Sequence, residues 1–110
     1  MSDRISVLEA RLQSVLDARQ RVEALNALAW ELRHTDVERS LALSGEAQRL
    51  STEGEFQSAP YWAGLGHSLR VRGRCYIQLS RYEDALNDLL EAQSIFERAG
   101  DAPGQAVVIR

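Results

Sequence analysis

Two stretches of this chain repeat each other at a fixed separation, and that repeat limits its folds more than anything else in the sequence. Asp36-Val37-Glu38-Arg39-Ser40-Leu41 aligns with Arg81-Tyr82-Glu83-Asp84-Ala85-Leu86 at an offset of 45 residues. Leu50-Ser51-Thr52-Glu53-Gly54-Glu55 aligns with Phe96-Glu97-Arg98-Ala99-Gly100-Asp101 at an offset of 46, and Ala47 pairs with Ala92 at 45. A period of that length holding two helices reads as a stack of helical hairpins, a solenoid.

Periodicity places the helices. Ile5, Leu8, Leu12, Val15 and Leu16 recur at three- and four-residue steps and predict a helix over residues 1–16, with Asp3 as a capping residue. Asp17 caps a second helix carrying Val22, Leu25, Leu28, Ala29 and Leu32 to about His34. Asp36 caps a third, with Glu38 favouring its dipole, and Gly54 is the expected stop. These two helices make a first hairpin over residues 18–54.

The second hairpin spans residues 57–100. Pro60 suits the first turn of a fourth helix holding Trp62, Leu65, Leu69, Tyr76 and Leu79. Ser80 is the expected cap of a fifth, which carries Tyr82, Ala85, Leu86, Leu89, Leu90, Ala92 and Phe96 and ends at Gly100. Gly64, Gly66 and Gly73 each weaken the fourth helix by about 1 kcal/mol relative to Ala, a cost that points to close helix approach, above all at Gly73. Pro103 opens a sixth helix over residues 102–110, carrying Ala106, Val107 and Ile109. It reads as the start of a further repeat in a longer protein or as a cap on the stack.

Within the second hairpin, Leu69, Gly73, Tyr76, Ala85, Leu89 and Ala92, with Tyr82 beside the turn, form a pattern that resembles the tetratricopeptide repeat. The first hairpin departs from it: Leu28 stands at the glycine site, Ser44 at a large-residue site, and Ser40 and Ala47 at the small sites. In the second, Arg72 stands at a leucine site. The resemblance covers roughly residues 20–110, and the long helices look similar to a subgroup found in bacterial regulators. It implies an all-α fold, a right-handed α-solenoid of antiparallel helix hairpins with about six helices in a single domain. It also implies protein-protein interaction as the function, in the regulatory or docking part of a signalling or transcription protein. The family's first helices line a concave groove, and His67, Arg70, Arg74 and Gln78 match groove-facing positions. Arginine forks on one face suit an acidic segment or a C-terminal carboxylate of a partner protein or peptide, although the asparagines of the family's carboxylate clamp are missing.

Other functions find little support. All 13 basic residues are arginine and 16 acids outweigh them, which argues against nucleic acid as a partner. Without lysine there is no Schiff-base or P-loop chemistry, and Gly64-Leu65-Gly66 follows no strand, so it is no phosphate loop. One cysteine, Cys75, rules out an internal disulfide. Cys75 and His67 stand eight residues apart, about 12 Å on a helix, too far for a nucleophile and its base. A buried structural cysteine is expected, and His34 is expected to serve helix-end carbonyls. No catalytic residue, cofactor or metal ligand set is expected. Glu83, Asp84, Asp88 and Glu91 predict a solvated outer face rather than a cation site, and Trp30 and Trp62 predict core packing. No leader and no apolar span is visible, so a cytoplasmic location is expected. The alternative function is self-association through exposed solenoid ends or exchange of the last helix.

Overall fold

A computed structural model describes residues 3–99. It contains five α-helices: α1 (Asp3–Gln13), α2 (Ala18–Leu32), α3 (Val37–Leu50), α4 (Trp62–Gln78) and α5 (Tyr82–Ala99). A short 3-10 turn, Gly54–Phe56, lies between α3 and α4, and no strand occurs among the described residues. The expected sixth helix and its Pro103 lie outside the described residues.

Local chemistry sets the helix starts. Asp17 Oδ1 accepts from the Gln20 backbone N–H at 2.7 Å, and the Gln20 side chain accepts from the Asp17 N–H at 3.1 Å. This reciprocal box satisfies two donors that would otherwise lack partners. Asp36 caps α3 by accepting from the Arg39 N–H at 3.2 Å. Both follow the sequence expectation.

Several boundaries depart from it. The helix α1 begins at Asp3 itself and ends at Gln13, because Ser14 folds back to the Arg11 carbonyl through both its N–H and its hydroxyl. Val15 then stands fully exposed in the turn that Asp17 requires. Ser51 rather than Gly54 closes α3; Gly54 does take the left-handed conformation, at φ +56, but inside the 3-10 turn. Pro60 falls two residues before the start of α4, whose N-cap is Tyr61. Ser80 caps no helix start. It sits at φ +61 after α4, where its N–H bonds the Ile77 carbonyl and the Arg81 N–H bonds the Tyr76 carbonyl, a Schellman closure built on serine.

Packing follows from where the small side chains fall. In α2 and α3, Ser40 lies against Ala29, and Ala47 packs with Val22 and Leu25, so partners run in opposite directions along the two helices. The pair α4 and α5 repeats this: Gly73 lies against Ala85 and Leu89, and Gly66 against Phe96. A Cβ added at Gly73 would stand 2.8 Å from Leu89 Cγ, and one at Gly66 2.8 Å from the buried Phe96 ring. These glycines therefore set the approach of the two helices. Residues related by the 45-residue offset share burial: Ser40 with Ala85, and Ala47 with Ala92.

Across the hairpins the direction changes. Glu23 meets Tyr61, Asn26 meets Gly64, Trp30 meets Arg70 and His34 meets Gln78, so α2 and α4 run side by side and parallel. Behind them α3 packs on both, and α1 covers α2 through Leu8 on Leu28 and Leu32. A buried chain of hydroxyl and thiol joins three helices: the Cys75 thiol donates to Ser40 Oγ at 3.1 Å, and that hydroxyl donates to the Ala29 carbonyl at 2.6 Å.

Candidate interaction groove

The parallel pair α2 and α4 presents one shared face, and its side chains follow helical spacing. On α4, His67, Arg70, Arg74 and Gln78 recur at steps of three and four. The facing residue of α2 is Trp30, whose indole packs inward against Ala29, Val71 and Cys75. The Arg33 and Arg70 guanidinium carbons lie 3.6 and 4.2 Å from its ring centroid. Such contacts contribute about 0.5–1 kcal/mol each at exposed sites and more when desolvated.

Trp30 is the shared wall of two hollows. The first, about 260 Å³, is lined by Asn26, Trp30, Tyr61, His67 and Arg70, with Arg4 and Glu23 also on its wall. The second, about 310 Å³, is lined by Trp30, Arg33, His34, Arg74, Ile77 and Gln78. The four residues matched to a groove thus share a face but divide between two compartments. His67 also packs edge-on against Phe96 at 4.9 Å, and Gln78 is bonded to His34 Nδ1 at 3.1 Å. His34 therefore faces the groove and a side-chain partner, not the carbonyls at the end of α2.

The electrostatics are lopsided. Arg4, Arg39, Arg49, Arg72 and Arg81 each have a carboxylate within 4.0 Å; among the described residues Arg11, Arg19, Arg21, Arg33, Arg70, Arg74 and Arg98 have none, and of these Arg33, Arg70 and Arg74 gather beside Trp30. Burial, then Arg74, then Arg33 lower the Arg70 pKa from its ordinary value, the mark of a cation among cations. The Nε–H groups of Arg70 and Arg74 are shut off from solvent without an acceptor, and Asn26 Oδ1 is a buried acceptor without a donor. The Asn26 amide N–H is satisfied by the Gly64 carbonyl at 3.1 Å. At the other end, Tyr61 donates to Glu23 Oε2 at 2.8 Å; burial, then that bond and the Glu23 charge, push its phenol up to about 12.

Other expected chemistry is placed elsewhere. Arg72 leaves the groove side and grips Asp88 with two bonds of 2.7 and 2.9 Å, while its third nitrogen reaches Gln48 at 3.1 Å. Asp88 is thereby buried, against the expectation of a solvated carboxylate, whereas Glu83 and Glu91 are exposed and Asp84 pairs with Arg81. Burial pushes the Cys75 thiol up, which keeps it protonated and unreactive. Trp62 packs on the cluster of Leu69, Ala92, Ile95 and Phe96, as expected, but Trp30 divides between core and groove. No group of three His, Cys, Asp or Glu residues able to hold a metal occurs among the described residues, nor a helix long and apolar enough to cross a membrane.

Sequence reading missed Arg33, Asn26 and Tyr61. Arg33 was within reach, since it follows Trp30 by three residues and so shares its face. Asn26 and Tyr61 join the site only through the parallel docking of α2 on α4, which the sequence does not display. No protein-family profile matches the chain, and no curated protein or solved structure matches it significantly.

Proposed function

We propose that this chain is a protein-interaction module of the tetratricopeptide kind, a right-handed α-solenoid that holds a segment of a partner protein across α2 and α4. Two antiparallel hairpins with parallel first helices, and the close approach at Gly73, support that reading of the fold. The observation that carries the function is the cluster of Arg33, Arg70 and Arg74 beside Trp30, none of them with a carboxylate within 4.0 Å; the Glu23 carboxylate of the first hollow is taken by the Tyr61 hydroxyl. In a chain with more acids than arginines, three adjacent cations without a counter-charge are the complement of an acidic segment. Selection from a random peptide library displayed on phage should enrich acidic sequences on the native chain. The Arg70→Glu/Arg74→Glu variant should lose that enrichment while its far-UV circular dichroism is unchanged. Equal enrichment on both proteins defeats the groove reading.

A second reading rests on a different surface. Leu79, Tyr82, Leu86 and Leu90 are 41, 64, 57 and 53 % exposed and fall at steps of three and four, forming an apolar stripe that runs from the turn along α5. A second copy of the chain would cover it. Four side chains fall short of the roughly 800 Å² per partner of a standard interface, so the association is weak. Light scattering over a concentration series should show growth in mass that Leu86→Arg removes; a strict monomer at millimolar concentration sinks this reading.

A further inference from the structure

The geometry around Trp30 specifies the ligand further, an inference that rests on the groove reading above. Arg70 belongs to the first hollow and Arg33 to the second, and Trp30 lines both. Both guanidinium carbons lie over the ring, 3.6 and 4.2 Å from its centroid. Stacking of this kind leaves the in-plane N–H forks to take carboxylates in two-pronged fashion. One Arg33 fork nitrogen is already held by the Trp30 carbonyl at 2.7 Å, which fixes the head in place. Arg74 adds a second cation to the Arg33 compartment.

Trp30 lines both compartments and each holds its own arginine, so each compartment takes one carboxylate. The two heads lie no farther than roughly 8 Å apart, against roughly 7 Å between alternate side chains of an extended segment. Beside Arg70, the first hollow also offers the unpaired Asn26 Oδ1, an acceptor for a backbone N–H of such a segment. The cations here repel one another and two guanidinium N–H groups lack acceptors, both of which an anion relieves once the heads turn toward it.

We propose that Arg33, Arg70 and Arg74 form a two-compartment seat for an extended segment of a partner protein bearing carboxylates at alternate positions, one on each side of Trp30. The cluster then costs the free protein stability that the bound protein regains.

The test uses the Trp62→Phe variant of the full chain, which leaves Trp30 as the sole tryptophan, and follows its fluorescence. Four probes are titrated: a blocked nonapeptide with Asp at two alternate positions, the same peptide with Asp at adjacent positions, its Asn counterpart, and inorganic phosphate. The alternate-Asp peptide should saturate and bind at least tenfold more tightly than the other three. Arg33→Gln and Arg74→Gln should each weaken it by tenfold or more, and Arg74→Gln should raise the Tm of the unliganded protein. Binding that ignores the spacing, an Asn peptide that binds as well, or phosphate that matches the peptide overturns the seat while leaving peptide docking in the groove intact. A Tm that falls in Arg74→Gln removes the claim of stored repulsion. Failure of every peptide, together with no enrichment on phage, overturns the groove reading itself.

Discussion

Among the described residues Ser80 alone takes a positive φ without being a glycine, at +61. The left-handed region brings Cβ toward the carbonyl at a cost of roughly 1–2 kcal/mol, which Gly avoids. Ser80→Gly should therefore raise stability by about 0.5–1 kcal/mol in urea unfolding, part of the relief being offset by the added freedom of the unfolded chain. Serine is a common N-cap, so the sequence pointed to the start of α5; the closure it makes instead depends on a conformation serine seldom adopts. Tyr61 is a second informative residue. Burial first, and Glu23 second, raise its phenol from 10.0 to about 12, so the fold favours the protonated form. Its contribution is complete below pH 10 and drains away as pH rises toward 12. Phenolate absorbance, with Tyr61→Phe as the blank, should show that late transition moving back toward 10 in Glu23→Gln.

Glycines decide matters at the scale of the element, and they do not behave alike. Gly73→Ala improves helix propensity but drives a methyl to 2.8 Å from Leu89 Cγ and 3.4 Å from the Ala85 carbonyl oxygen. It should lose about 1–3 kcal/mol, the usual cost of overpacking. Gly45→Ala, in α3 with nothing within 4 Å of the added methyl, should gain about 1 kcal/mol. Paired denaturation curves separate close approach from propensity, and equal shifts in both variants would refute the distinction. The sequence displayed the helices well because capping and periodicity are local: Asp17, Asp36 and the apolar steps of α2 and α5 needed no tertiary knowledge. It misplaced the end of α1 because Val15 and Leu16 continue the helical period although the chain must turn there. Gly73 was legible as a close approach, while Gly64 and Gly66 gained equally tight neighbours in Val22, Tyr61 and Phe96 only once the helices docked.

For the molecule as a whole, Arg72 is the tie, joining α4 to Asp88 on α5 and Gln48 on α3. Breaking a desolvated pair on one side leaves a charge stranded, so Arg72→Met should cost about 3 kcal/mol in thermal or chemical unfolding. The double change Arg72→Leu/Asp88→Leu should recover most of that loss. Arg72 was visible as an oddity at a leucine site, and Asp88 lies in register with Ala85 and Ala92; what stayed hidden was that each answers the other across two helices. The groove was half legible for the same reason, since the stripe on α4 follows from spacing but its partner Trp30 comes from α2. The connection between the hairpins has a practical use. Its ends are pinned by the Tyr61 N–H on the Ser51 carbonyl at 2.8 Å, while Ser58 and Ala59 lie exposed. A fluorophore-bearing insert spliced between those two residues would hang outside the helices like a pendant on a clasp, and would leave both hairpins to fold in their own register.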